Sequence, residues 1–477
     1  MTGRSIRALR RIGALAVGAG IVASLASAGP SYATNCQPDG RISGGGATFQ
    51  ANAQRVVFEP SFRRNVCKAI PAGIADSNNE PNSTVRMVWY NASNSGTTGV
   101  ARPSGSGAGI NGAYCRVDAF SGSDVPYTNA QLALLRGAVP AQTDPLCTPF
   151  GSQPFEPTPA PYPTTGDTQS NIMSFPVAGG AVAIGFNLTA AACGGSTPPA
   201  NIQLDSLQAS RLLGGDIKSW NDAALVAIQP AGSTLANCNT PVSRFARSDN
   251  SGTTTIFKNY LNHADGARAL CDGTTWSGRT GQNGNNFPSN PDPAVCSPVT
   301  YASGNPAVVN AVAAQVGGVG YGDLSDWIIN GDGTTRTPAL GIANVRNADN
   351  SAYVSPRSGS GSNCSFAGTA LPAGGASGAV GLAGNAWSSE AVPNRADVTF
   401  LGNGYPICGF TWMLVRPGLT GGGTSISSLN QDQRDTLASY VYYILQPTTQ
   451  AELSNNFYAP VPATMLPTIR QGYVANN

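Results

Sequence analysis

One histidine, His263, and three lysines, Lys68, Lys218 and Lys258, stand in a chain of 477 residues. A single imidazole argues against most His-dependent catalysis and most His-ligated metal sites. Charged side chains make up only 11%, and arginine supplies nearly all the basic ones. Arg4, Arg7, Arg10 and Arg11 lie in a segment with the marks of a removable signal; of 27 basic residues, 23 then remain against 25 acids, about −2. No broad basic field is left to hold nucleic acid or anionic lipid. No C-x-x-C pair points to zinc or thioredoxin-type chemistry, and there is no G-x-x-x-x-G-K-[ST] loop. Beyond residue 33 no stretch approaches about 18 uninterrupted apolar residues, so the mature chain is expected to be soluble. Hydrophobic content of 41% is ordinary for a globular protein, and the length suits two or three domains.

What is present begins at the N-terminus. Four arginines precede an uncharged run from Ile12 to Ala28 that closes on Ala26-Ser27-Ala28, with a second small-residue site at Tyr32-Ala33. A basic flank, a short apolar stretch and an A-x-A end describe a secretory signal peptide over residues 1–33; an N-terminal membrane anchor is the alternative. Ten cysteines fit an exported chain. Successive pairing is favoured, 36 with 67, 115 with 147, 193 with 238, 271 with 296 and 364 with 408, although spacing alone leaves the connectivity open.

Short apolar runs alternate with amphipathic stretches. Val85–Tyr90, Gly180–Asn187 and Thr411–Val415 read as buried strands. Asp205–Leu213, Asn305–Val316 and Asn430–Leu445 read as helices, the first with Leu207, Leu212 and Leu213 towards one side. The alternation implies an α/β architecture with largely parallel sheets. Ala138–Asp167, Gly273–Pro293 and Arg357–Gly384 lack periodicity, are rich in small and turn-forming residues, and read as surface insertions stapled by disulfides.

Four clusters of small residues carry the chemistry: Ser43–Phe49 (SGGGATF), Asn94–Gly99 (NSGTTG), Phe120–Pro126 (FSGSDVP) and Arg247–Thr254 (RSDNSGTT). In the second and fourth, Ser-Gly-Thr sits where a helix should begin. A helix N-terminus offers unpaired N–H groups and the positive end of a dipole, and Ser and Thr hydroxyls add donors. Together these make an anion cradle. Arg247 adds a planar donor fork suited to phosphate oxygens. A single Ser-Gly-Thr is more often an ordinary turn or cap. Gly107–Gly112 matches G-x-G-x-x-G, but no strand leads into it and glycine is abundant, so it is set aside as a chance match.

In this order the clusters resemble the high-affinity phosphate-binding protein of bacterial phosphate ABC transporters. The resemblance covers most of the mature chain and extends through FPVAGGAVAIGFN, LGGDIKSWND, VGGVGYGDL, YPICGFTWMLV and FYAPVPATM. It implies a two-domain periplasmic-binding-protein-like fold (type II) with the ligand in a cleft between domains. Residues 34–174 and 405–477 would form one domain and 175–404 the other, with crossings near Phe175–Asn187 and Tyr405–Val415. It implies donors to a dehydrated phosphate at Thr48, Phe49 and Ser95, and a carboxylate acceptor of the phosphate hydroxyl at Asp124. It further implies the arginine fork at Arg247, oriented by Asp249, and helix N-terminal donors at Ser251, Gly252 and Thr253. A membrane permease is the implied partner, and no cofactor is implied. Two departures stand out. Asn250 replaces the family's usual glycine, and asparagine tolerates a left-handed backbone better than other side chains. Cys36 follows Ala33-Thr34-Asn35, a poor lipobox, so a lipid anchor is not expected. Two rival readings remain: a phosphatase-like hydrolase using Ser95 or Ser251, and an exported surface or matrix protein with a repurposed cleft. The hydrolase lacks a nearby histidine base. His263 lies 11 residues past Gly252, about 16 Å along a helix, and reads as a surface or packing residue.

Overall fold

The computed structural model describes residues 42–66, 74–75, 81–82, 87–90, 103–136, 140–141, 143–150, 172–331, 340–366, 403–415 and 431–475. The signal segment, Cys36, Cys67, the Asn94–Gly99 cluster with Ser95, and the proline-rich part of the first insertion lie outside the described residues.

The strands assemble into a ten-stranded mixed sheet. Its continuous path uses β1 (Ile42–Gly46), β2 (Met87–Tyr90), β3 (Phe120–Ser123), β4 (Met173–Phe186), β5 (Ser243–Arg247), β6 (Val299–Ala302), β7 (Gly318–Asp323) and β8 (Cys408–Val415). The spatial order is β2-β1-β3-β8-β4-β7-β5-β6. β1 is parallel to β2 and β3, and β5 is parallel to β6 and β7. Between these two parallel groups lie β8 and β4, antiparallel to each other and to their outer neighbours. The sheet is therefore less uniformly parallel than the strand–helix alternation suggests.

β4 pairs directly with β7 of one group and, through β8, is joined to β3 of the other. All 14 of its residues are buried, and none is charged. Residues 173–181 pair with β8, and residues 182–186 pair with β7. The strand is longer than the Gly180–Asn187 run predicts. Pro176 and the Gly179-Gly180 pair break the apolar signal of its first half, and the ladder absorbs them with a register shift opposite Thr411 and Trp412.

The helices that matter for the site are α1 (Thr48–Asn52), α2 (Ser106–Cys115), α3 (Ser206–Leu213), α4 (Gly252–Asp265), α5 (Asn305–Ala314), α6 (Leu324–Gly331) and α7 (Gln431–Ile444). α1 runs on through a π-wound stretch, Ala53–Phe58, into a further α-helical stretch, Glu59–Asn65. The three helices read from the sequence are α3, α5 and α7. Asp205 starts α3 by accepting from Gln208 N at 2.9 Å. Leu212 and Leu213 are buried as the pattern requires, whereas Leu207 is 41% exposed.

Among the described residues the four expected disulfides that fall there are all present: Cys115–Cys147, Cys193–Cys238, Cys271–Cys296 and Cys364–Cys408. The Gly273–Pro293 stretch, closed by the third of these, is not a mere surface insertion. Trp276 and Phe287 are buried in it; Phe287 stacks on Tyr321 at 5.5 Å and meets Trp276 edge-on at 5.6 Å. Its backbone carbonyls also receive buried cations. Arg244 donates to Pro288 O at 2.9 Å, and Lys258 Nζ donates to Asn283 O at 2.5 Å. Two aromatic anchors among glycines and asparagines leave no periodicity, which is why the stretch reads as a loop from the sequence.

Candidate functional site

Helix starts are where the sequence places its small hydroxyl residues, and the fold brings four of them together. Ser251 is the N-cap of α4, its Oγ accepting from Thr254 N at 3.1 Å. Gly252, the first residue of that helix, donates its N–H to Ser106 Oγ, in the first turn of α2, at 2.9 Å. A Cβ at Gly252 would lie 2.7 Å from Asp124 Cβ and 2.6 Å from Ser106 Oγ, so only glycine permits this approach. Gly105, ahead of α2, has φ +100, and a Cβ there would meet the Asp249 carboxylate. At the third start, Thr48 Oγ1 of α1 accepts from the backbone N of Asn305, which opens α5, at 3.3 Å. The first-turn amides of each helix have no intrahelical acceptor, so four positive dipole ends face one region.

Asp124 sits at the centre, 1% exposed, just after β3. Its carboxyl accepts from Thr411 Oγ1 at 3.0 Å, Thr253 Oγ1 at 3.1 Å and Ser106 Oγ at 3.3 Å. Burial pushes its pKa up to about 7, against the lowering effect of the Thr411 and Thr253 bonds and the charge of Arg247. Arg247, at the end of β5, is fully buried. Its Nε donates to Asp249 Oδ1 at 2.7 Å, its Nη2 to Asp249 Oδ2, and its Nη1 to Asn305 Oδ1 at 2.5 Å. Burial opposes the guanidinium's charge, yet Asp249 outweighs it and raises the Arg247 pKa. Burial likewise opposes ionisation of Asp249, and Arg247 nevertheless holds it below its ordinary value. Gly304 N steadies Asp249 Oδ1 from a third direction at 3.0 Å.

The raised Asp124 value has a consequence for stability. Between an ordinary carboxyl value of 3.8 and about 7, the folded ligand-free chain keeps a proton that the unfolded chain has released. This contribution is complete at low pH and is lost as pH rises through about 7; its full size is on the order of 4 kcal/mol. Asp323 and Asp326 are also raised, first by burial and then for Asp323 by its neighbour Asp326, so a comparison of variants is needed to isolate Asp124. In urea titrations between about pH 5 and pH 8, Asp124→Asn should flatten the fall of unfolding free energy. Equal slopes in the two chains would remove Asp124 as its source.

Of the residues expected at the site, Thr48, Asp124, Arg247, Asp249, Ser251, Gly252 and Thr253 belong to this one bonded cluster. Phe49 adjoins it through α1, and its carbonyl accepts from Tyr458 Oη at 2.7 Å. Ser95 lies outside the described residues. Sequence reasoning missed Ser106, Thr411 and Asn305. Ser106 immediately precedes the Gly107–Gly112 stretch set aside as a chance match. Its signal is the Ser-Gly-Ser-Gly start of a helix 18 residues before Asp124, a separation the bond between them spans. Asn305 and Thr411 carry no local signal. His263 is exposed near the far end of α4.

The family model of the PBP superfamily domain matches residues 161–448, more than half of the chain, and the chain belongs to that superfamily. A stretch of 122 residues, 25% of the chain, is 33% identical to phosphate-binding protein PstS of Xylella fastidiosa (strain 9a5c). That match spans 31% of the length of the curated relative. Two solved structures share the fold: a high affinity periplasmic phosphate-binding protein, PfluDING, bound with phosphate, at 18% identity, and a human phosphate binding apolipoprotein at 17%. Each has a TM-score of 0.52 over 90% of this chain and 93% of its own. The mixed α/β architecture is thus that of phosphate-binding proteins of the periplasmic type. Among the described residues no helix is long and apolar enough to cross a membrane.

Proposed function

We propose that the chain is an exported solute-binding protein that captures inorganic phosphate in a cleft and delivers it to the permease of a phosphate ABC transporter. One observation carries the reading: four helix N-termini converge on a buried arginine fork and a buried carboxyl that can accept a hydroxyl proton. In this reading the first-turn amides of Thr48, Phe49 and Thr253 and the hydroxyls of Thr48 and Ser251 donate to the ligand, while the Gly252 N–H stays on Ser106 and the Thr253 hydroxyl on Asp124. Ser95 adds a further hydroxyl, Arg247 donates N–H groups, and Asp124 accepts the phosphate proton. Residues 34–174 with 405–477, and residues 175–404, are the two domains that close on it. Residues 1–33 direct export to the periplasm, cell surface or medium, without a lipid on Cys36.

The phosphate-binding function of the PstS relative and of the two solved structures supports phosphate as the ligand. Ser251 Oγ acts as a helix cap rather than resting against a basic side chain, which supports binding over hydrolysis. The test is to denature the purified chain and assay released phosphate, then titrate the refolded chain calorimetrically. About one phosphate per chain and saturable uptake are expected. Steady turnover of a phosphoester would favour the hydrolase, and neither result would favour a repurposed surface protein.

A further inference from the structure

We infer that Asn305 is a positioning residue for phosphate capture: its side-chain amide fixes the Arg247 fork and orders the hydrogen bonds that keep Asp124 an acceptor. The inference rests on the phosphate-binding reading and deepens it.

Asn305 is fully buried at the start of α5. It and Gly304 make bonds to Thr48, Arg247, Thr253 and Asp249, four of the nine residues expected at the site. The order of these bonds is set by chemistry. Arg247 has only donors, so the Asn305 oxygen must face it, as it does at 2.5 Å. The Asn305 nitrogen must then face the other way, and it donates to Thr253 Oγ1 at 3.4 Å. With that lone pair engaged, the Thr253 hydroxyl points its proton at Asp124 Oδ2, 3.1 Å away. A cation at one end thus dictates the direction of every proton up to the carboxyl at the other.

Asn305 also leaves Arg247 its capacity for ligand. Three of the five guanidinium N–H groups are engaged by Asp249 and Asn305, which leaves one on each Nη. Because Asn305 is neutral, Asp249 is the one carboxylate bonded to the arginine. A carboxylate at position 305 would add a second negative group beside the ligand, would not donate to Thr253, and would let that hydroxyl turn away from Asp124. The titratable groups around the network are Arg247, Asp249 and Asp124, with Tyr321 and Asp323 flanking Gly322, which packs against Asn305.

The experiment is calorimetric titration with inorganic phosphate of wild type, Asn305→Ala and Asn305→Asp at pH 6 and pH 8. Removing the partner of buried polar groups should weaken phosphate binding roughly 10- to 100-fold in N305A at both pH values. N305D should lose about tenfold more at pH 8 than at pH 6, because phosphate gains its second charge across that interval. Asn305→Ser replaces N305A if that chain does not fold. Phosphate affinity unchanged in the uncharged variant, or an equal loss at both pH values in N305D, would overturn the assignment and leave Asn305 a packing residue. A wild-type chain that fails to take up phosphate would instead sink the functional reading itself.

Discussion

Replacing Arg247 with alanine should weaken phosphate binding by about 2–5 kcal/mol, the range for truncating one partner of a buried charge pair. Arg247 is fully buried and reaches Asp249 and Asn305 together. Its loss leaves the Asp249 carboxylate with no cation, held only by backbone amides such as that of Gly304, and leaves the Asn305 oxygen without its donor. The site then presents uncompensated negative charge to an incoming anion. Arg247→Lys should recover only part of the affinity, because an ammonium is a point charge and cannot engage Asp249 at two atoms while reaching the ligand. Calorimetry on the three chains tests this. Wild-type affinity in R247A would mean that the ligand binds elsewhere.

The second large effect concerns selectivity. Phosphate near neutral pH retains a proton that sulfate lacks. An ionised carboxylate only accepts hydrogen bonds, so Asp124 can receive the phosphate hydroxyl but meets sulfate as a bare oxygen. Two negative groups then face each other where water is excluded. Sites built around a ligand hydroxyl reject the analogue without it by about 10⁴–10⁵ in favourable cases. At pH 8, above the Asp124 value of about 7, phosphate should bind and sulfate at equal concentration should not compete. Lowering the pH to about 5.5 protonates that carboxyl in the empty site, lets it donate, and should narrow the gap. Asp124→Asn, which donates at every pH, should lose discrimination more than phosphate affinity. Tight sulfate binding by the wild type at pH 8 would take Asp124 out of this role.

The parts of the site that were legible in the sequence are those contiguous along it. Arg247, Asp249 and Ser251–Thr253 fall within seven residues, and a strand end feeding a capped helix is enough to aim them at one point. Asp124 was legible through its motif and its place after β3. Asn305 and Thr411 were not, because their roles are made by bonds across 58 and 287 residues. An asparagine at a helix start and a threonine in an apolar strand look ordinary until the chain is folded. Ser106 was hidden by its setting: glycine on both sides matches too many patterns in a chain with 58 glycines. The fold itself was largely readable from β2, β8, α3, α5 and α7. The length of β4 was obscured by Pro176 and its glycines, and the core role of Trp276 and Phe287 by the small residues around them.

β4 has a mechanical consequence. Its ladder passes from β8 to β7 between Ala181 and Val182, and at that junction Val182 N donates to Ile407 O at 2.9 Å while Tyr405 Oη donates to Val182 O at 3.0 Å. Both backbone groups of Val182 are thus engaged by the chain entering β8. Sliding one parallel group past the other would shear a row of ladder bonds at once. Rotation about the long axis of β4 spreads the strain over many small dihedral changes instead. Against such a rotation the strand would act as a torsion bar, yielding easily at small angles and steeply resisting large ones, with the register of every ladder kept.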